Sequence, residues 1–308
     1  VALEDTRDGV TATVVDRDTG EEYEVAASWV IAADGGRTIG RLVGVTMEGL
    51  TDLARTATVH LSADLSSWAT DPDVLLRWVW CPSVGKLVVL APMGPTRWGG
   101  ESEEWVAHVN YDVGDDRAFD DDAVMADVRM ALGIGDHPVT VHLITRWTIG
   151  GVVADRFRSG HVLIVGDAAH RHPPTGGLGL TSAIHDVQNL CWKLAFVVRG
   201  VASESLLDSY EAERRPVDAR NVQRSLENAL GYPLISEAMG FDPDGTPEER
   251  WAALARVWDD DPGDRDHRHA LVELMADLGL AGSVVEMPDE SAQKALWEVR
   301  KAGLNIMM

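Results

Sequence analysis

The stretch GDAAHRHPPTGGLG, Gly166 to Gly179, decides how this chain is read. It follows the apolar run HVLIV, residues 161–165, and precedes a long helical pattern. The unit is therefore strand, turn, helix. Clustered glycines let a backbone come close to a ligand. A helix start offers N–H groups without intrahelical partners and a partial positive charge, which suit an anionic group. Asp167 at the strand end suits a sugar-type hydroxyl, which needs an acceptor. Pro173 and Pro174 stiffen the loop without adding donors. Alone, this physics points to a hydroxylated, partly anionic cofactor, and the alternative is a tight connection whose glycines serve packing. His170 and His172, with His161 or Asp167, form a weak metal set, because no HExxH or CxxC partner accompanies them. No metal is expected, and His170 is read as a structural hydrogen-bonding residue.

The rest of the chain bounds the answer. It has 308 residues, 45% of them hydrophobic, which allows one large or two ordinary domains. No apolar run reaches the length of a membrane span. The opening VALEDTRDGVT is charged and lacks a signal-peptide core. A formal charge of −23 argues against nucleic-acid phosphates and anionic membranes as partners. Cys81 and Cys191 are too few for a disulfide framework and are expected as buried free thiols. A cytoplasmic protein is expected.

Residues 10–15 and 22–25 flank DRDTG as a hairpin, and SWVIAA, 28–33, is a further strand running into DGGRTIGR. From about 46 to 146 the texture becomes short β-rich runs, ATVHLSA, VLLRWVW, KLVVLAP, EWVAHVNY and VTVHLITRW, with one helix near 121–132. That pattern predicts an antiparallel sheet. Trp68, Trp78, Trp80, Trp98, Trp105 and Trp147 lie in it, as core packing or as an apolar pocket for a flat substrate. A helix is predicted over 180–199, with apolar residues at i, i+3, i+4 spacing and Gly200 as its stop. A second covers 205–230, where Pro216 should kink or restart it. Thr246, Pro247 and Glu249 make a capping box for a further helix.

GDAAHRHPPTGGLGLTSAIHDVQNLCWKLA, residues 166–195, resembles the second flavin-binding motif of the group A FAD-dependent aromatic hydroxylases. ADGGRTIGR, residues 33–41, resembles their internal Asp-Gly motif, with Thr38 and Arg41 filling its last two positions. The order also agrees: strand, Asp-Gly motif, antiparallel sheet, Gly-Asp motif, long helix, then YEAERRPV. The resemblance covers roughly residues 10–230, and its details look most like the phenol hydroxylase branch, with aromatic polyketide hydroxylases as near relatives. Thr181 stands where the family often has Asn. A strand–GxGxxG–helix unit for the adenosine half of FAD is not found, nor is the branch's thioredoxin-like C-terminal domain, so the chain is expected to be the middle of a longer enzyme.

The resemblance implies an α/β (α+β) fold. Residues 1–45 and 150–230 would form part of an FAD-binding Rossmann-like domain. Residues 46–149 would form an inserted antiparallel-sheet substrate domain, and residues 231–308 a helical extension. It implies FAD and NADPH or NADH as cofactors, O2 and a small phenolic or polyketide-type aromatic as reactants, and hydroxylation as the activity, with a homodimer as a candidate assembly. Gly166 and Asp167 would meet the ribityl chain. Pro174 would lie beside the isoalloxazine as the residue nearest the chemistry. Gly177, Leu178 and Gly179 would aim N–H groups at its pyrimidine edge. Asp34 and Gly35 would lie by the pyrophosphate and the nicotinamide path, and Arg41 would anchor that loop. Asp34 can equally be a strand-end turn cap. Two other readings stay open: a cofactor-deficient binding fragment, and a flavin dehydrogenase without hydroxylation.

Overall fold

The computed structural model describes residues 2–257 apart from 8, 70–75, 84, 239 and 243, together with Gly263, His269, Leu271, Glu273 and Leu274. In chain order the strands are β1 (Ala2–Thr6), β2 (Gly9–Val15), β3 (Glu22–Ala27), β4 (Val30–Ala32), β5 (Met47–Ser62), β6 (Arg77–Cys81), β7 (Lys86–Gly94), β8 (Glu104–Tyr111), β9 (Thr140–Ala154), β10 (Arg158–Ser159), β11 (Val162–Ile164) and β12 (His170–Arg171). The helices are α1 (Ile39–Leu42), α2 (Asp121–Leu132), α3 (Leu178–Val198), α4 (Asp208–Ala238) and α5 (Pro247–Val257). The chain divides into two compact units, residues 1–51 with 150–229, and residues 52–149 with 230 onward.

The first unit holds two small sheets. Strands β1, β2 and β3 pair antiparallel. The β2–β3 turn closes as its sequence requires: Asp16 Oδ1 accepts from the N–H of Asp18 and Thr19, and Gly20 takes the left-handed φ of +75°. In the other sheet β10 pairs antiparallel with β11, and β11 runs parallel to β4, with Val162 opposite Val30 and Ile164 opposite Ala32. These strands are short because each ends in a glycine-rich turn. Helices α3 and α4 pack through polar side chains: Asn221 donates to Ser182 at 2.9 Å, Arg214 to Asp186 at 3.0 Å and Lys193 to Glu213 at 2.8 Å.

The second unit holds most of a sheet whose order is β9-β5-β8-β7-β6, and the end of β9 that belongs to the first unit pairs with β12. Alternation decides its two faces. Ala57, Val59 and Leu61 of β5 and Trp105, Ala107, Val109 and Tyr111 of β8 form a core with Val124 and Val128 of α2. Asp120 caps α2 by accepting from Asp122 and Ala123, and Gly133 ends it at φ +63°. Thr246 and Glu249 bond reciprocally at the start of α5, as the capping box predicts.

Three expectations are corrected. Helix α4 runs unbroken through Pro216, because Tyr210, Arg214 and Asp218 on either side of the proline are held in one buried wall. Cys81 is buried but Cys191 is exposed, since α3 turns its Ser182, Asp186, Leu190 and Lys193 side inward. Strands β5 and β9 extend well past the alternating runs that announced them. The C-terminal part of the expected helical extension lies outside the described residues.

Candidate cofactor site

Parallel pairing of β4 with β11 sends both glycine-rich turns off the same edge of the sheet, at the strands' carboxyl ends, where α/β folds bind ligands. A Cβ on Gly36 would come within 3.5 Å of the Asp167 carbonyl oxygen, so the two turns are in contact.

The first turn is closed on itself. Asp34 accepts from the N–H groups of Gly36 at 3.1 Å, Thr38 at 2.6 Å and Ile39 at 2.8 Å. Burial opposes ionisation of Asp34, but the N–H groups of Ile39, Thr38 and Gly36 outweigh it and hold the carboxyl below its usual range. Gly35 and Gly36 sit at φ +69° and +72°, and open space surrounds the position a Gly35 Cβ would take. Arg41 is exposed, and the hydrogen bonds that shape this loop are those of Asp34.

The second turn is open. Gly166–Ala168 make one 3-10 turn, and Asp167 projects as an exposed carboxylate with no hydrogen-bond partner among the described residues. Pro173 is buried and Pro174 exposed, so the pair presents its second ring outward. Thr175 Oγ1 donates to the Ser225 carbonyl at 2.6 Å and pins the loop to α4. Gly177 takes φ +63° and donates to the Pro174 carbonyl at 3.1 Å, and no side chain caps α3. A helix of 21 residues thus begins with uncapped N–H groups at Leu178, Gly179 and Leu180. His172 lies beside Gly179 and packs edge-on to His170. Burial, with His170 adding to it, lowers its ring to about 4, and both ring nitrogens are buried without partners.

Behind the open turn lies a group that sequence reasoning missed. Asp186 Oδ2 accepts from the Gly166 N–H at 3.1 Å and from His170 Nε2 at 2.7 Å. Its other oxygen accepts from Arg214 Nε at 3.0 Å, and Arg214 Nη2 donates to Asp218 at 2.7 Å. His170, Asp186 and Asp218 are wholly buried. Arg214 supplies a cation there. The one sequence signal was a polar stripe, Ser182, Asp186, Asn189 and Lys193, at the same helical spacing as the apolar one.

In the second unit, the sheet face away from the core is polar. Thr56 donates to Asn110 at 2.8 Å, and Thr58 bonds His108 at 2.9 Å and accepts from Trp147 at 2.9 Å. His60 bonds Glu104 at 2.7 Å and Ser62 bonds His142 at 2.6 Å. Burial lowers His108, which favours the neutral ring. Of the tryptophans, Trp105 is core, Trp78 packs on Tyr232 and Trp68 on His137, while Trp147 joins the polar face.

The comparisons with known proteins agree with this geometry. Residues 1–225 match the family described as FAD binding domain. The chain is 34% identical to 2,4-dichlorophenol 6-monooxygenase of Delftia acidovorans over 88% of its own length and 46% of that protein's. It is 38% identical to tetracenomycin B2 monooxygenase-dioxygenase of Streptomyces olivaceus, over 68% of its length and 38% of that protein's. The flavin-dependent monooxygenase PieE, solved with FAD and substrate, superposes with a TM-score of 0.80 at 35% identity, covering 91% of this chain and 48% of that one. The chain spans about half the length of the curated relatives it matches. It belongs to the FAD-binding domain family that these monooxygenases share.

Proposed function

We propose that this chain carries the flavin-ring half of an FAD-dependent monooxygenase that hydroxylates a phenolic or polyketide-type aromatic with NAD(P)H and O2. The observation that carries the reading is the open Gly166–Gly179 turn, with a free carboxylate and an uncapped helix start on one edge of a parallel strand pair. These features fit a hydroxylated, anionic cofactor. Asp167 would accept from the ribityl hydroxyls. The N–H groups of Leu178 and Gly179 would meet the pyrimidine edge, where the dipole of α3 favours negative charge, while Gly177, whose own N–H is held by the Pro174 carbonyl, would shape the approach to it. Pro174 would lie against the ring. Asp34 would hold Gly35 open toward the pyrophosphate, with Arg41 at that loop's outer end. When bound, FAD supplies the oxygen chemistry, and the protein supplies position and exclusion of water.

The polar face of the second unit's sheet would receive the substrate. Thr56, Thr58, His108 and Asn110 present neutral donors and acceptors there, and Trp147 a flat apolar edge, which together suit a hydroxylated aromatic. The test supplies labelled O2 and a panel of phenols to the FAD-loaded protein and weighs the products. One labelled oxygen in a ring product supports the reading. NAD(P)H oxidation that yields only peroxide with every phenol replaces it with a flavin dehydrogenase.

A further inference from the structure

Asp186 touches both ends of the open turn. Its Oδ2 holds the Gly166 N–H, where β11 ends, and His170 Nε2, where β12 begins. Asp167 lies between those two points, in a 3-10 turn whose glycine sits at φ +58°. Nothing else anchors the exposed Asp167 carboxylate, so its aim is set by the backbone that Asp186 fixes. The groups around the Asp186 carboxylate come from every element packed on it: His170 from β12 and His172 just after it, and Tyr210, Arg214 and Asp218 from α4. Tyr210 donates instead to the Ile164 carbonyl at 2.7 Å, gripping the strand just ahead of the turn.

We infer that Asp186 is the positioning residue of the cofactor turn, and that Arg214 and Asp218 behind it set the charge under which this clamp holds. The inference rests on the FAD reading of the turn. Its chemistry is a charge count in a closed space. Asp186 is kept ionised: burial opposes this, but His170, Arg214 and the Gly166 N–H outweigh it. One arginine balances one carboxylate. Asp218 is pushed by burial and by the neighbouring Asp186 up to about 7, and its Oδ2, without a well-formed hydrogen bond among the described residues, lies 3.7 Å from His170 Nε2. While Asp218 keeps its proton, Arg214 faces one charged carboxylate. When it ionises, two buried carboxylates compete for Arg214 and for His170, and the hold on the turn loosens.

The experiment uses the 308-residue chain with Asp186→Asn and Asp218→Asn. Hydrogen exchange of residues 162–170 is read from pH 6 to 8, corrected for the intrinsic pH dependence of exchange. FAD affinity is read by flavin fluorescence. We expect Asp186→Asn to speed exchange at Gly166–Ala169 about tenfold or more and to weaken FAD by a similar factor, since a charged acceptor is lost. In the unsubstituted chain, protection of the turn falls as pH rises through about 7. In Asp218→Asn it stays flat. Unchanged exchange in a folded Asp186→Asn overturns the inference. So does a pH profile that Asp218→Asn leaves intact, which decides the matter even where Asp186→Asn does not fold. Faster exchange with unchanged FAD affinity overturns the cofactor half. A chain that protects the turn as expected but takes up no FAD under any condition refutes the FAD reading itself, while the exchange data still decide the clamp.

Discussion

Two aspartates lie on neighbouring turns and do opposite things. Asp34 gives its carboxylate to three N–H groups of its own loop, while Asp167 gives its carboxylate to none. The first turn is preorganised from within, which commits most of the Asp34 acceptor capacity to its own loop. The second is held from behind by Asp186 and Thr175, which frees its aspartate and its helix start. The difference teaches that an aspartate beside a glycine keeps a free carboxylate only where other groups hold its loop.

Asp167→Ala should leave folding stability within about 0.5 kcal/mol, as expected for an exposed residue with no partner. It should weaken FAD by roughly 1.5–3 kcal/mol, about tenfold or more. Equilibrium titration beside a thermal melt separates the two quantities, and a large stability loss with intact FAD binding would erase the contrast.

Asp34→Ala should do the reverse. Losing the acceptor of three N–H groups should cost about 1–2 kcal/mol of stability, read by urea unfolding. Because the folded carboxyl is depressed, its stabilisation is present above the ordinary carboxylate pKa and is lost as pH falls through the folded value. The variant's acid-side slope should therefore be shallower.

Gly177→Ala sharpens the comparison at the helix start. A side chain at φ +63° should cost about 1 kcal/mol, with little change at Gly40, where φ is not positive. Paired thermal melts of Gly177→Ala and Gly40→Ala check it.

A further effect is read from pH, at His172. Its folded ring titrates near 4 against 6.5 when free, so the unfolded chain binds the extra proton first as pH drops. Stability should fall between about pH 6.5 and 4, and His172→Gln should remove that part of the slope. Melting temperature against pH for the two proteins decides it, and parallel curves would mean the ring is wetter than its surroundings imply.

Much of this was legible. The hairpin at Asp16–Gly20, the capping box at Thr246 and the strand–turn–helix at Gly166 all rest on local rules, and the fold kept them. What escaped was which side of α3 faces in. Leu180 is 75% exposed and Ile184 56%, while Asp186 and Lys193 are fully buried. Periodicity shows that a helix has two sides, but the choice between them came from Arg214, Asp218 and Glu213, which lie on another helix. Pro216 likewise failed to interrupt α4, because the same polar seam holds the helix on both sides of it. The tryptophans told only part of the story: aromatic density marked the sheet, yet the face opposite its core is built from hydrogen-bonded Thr, His and Asn.

The β4–β11 pairing also has a kinetic side. It joins residues about 130 positions apart, and parallel strands cannot meet until the chain between them has been gathered in. The hairpins β2–β3 and β6–β7 need no such closure. On refolding, the hairpins should therefore gain protection first and the two aspartate turns last. A newly made molecule would spend an interval with its hairpins formed and the two turns still apart, and a ligand added early would have nothing to hold until that final strand zips shut.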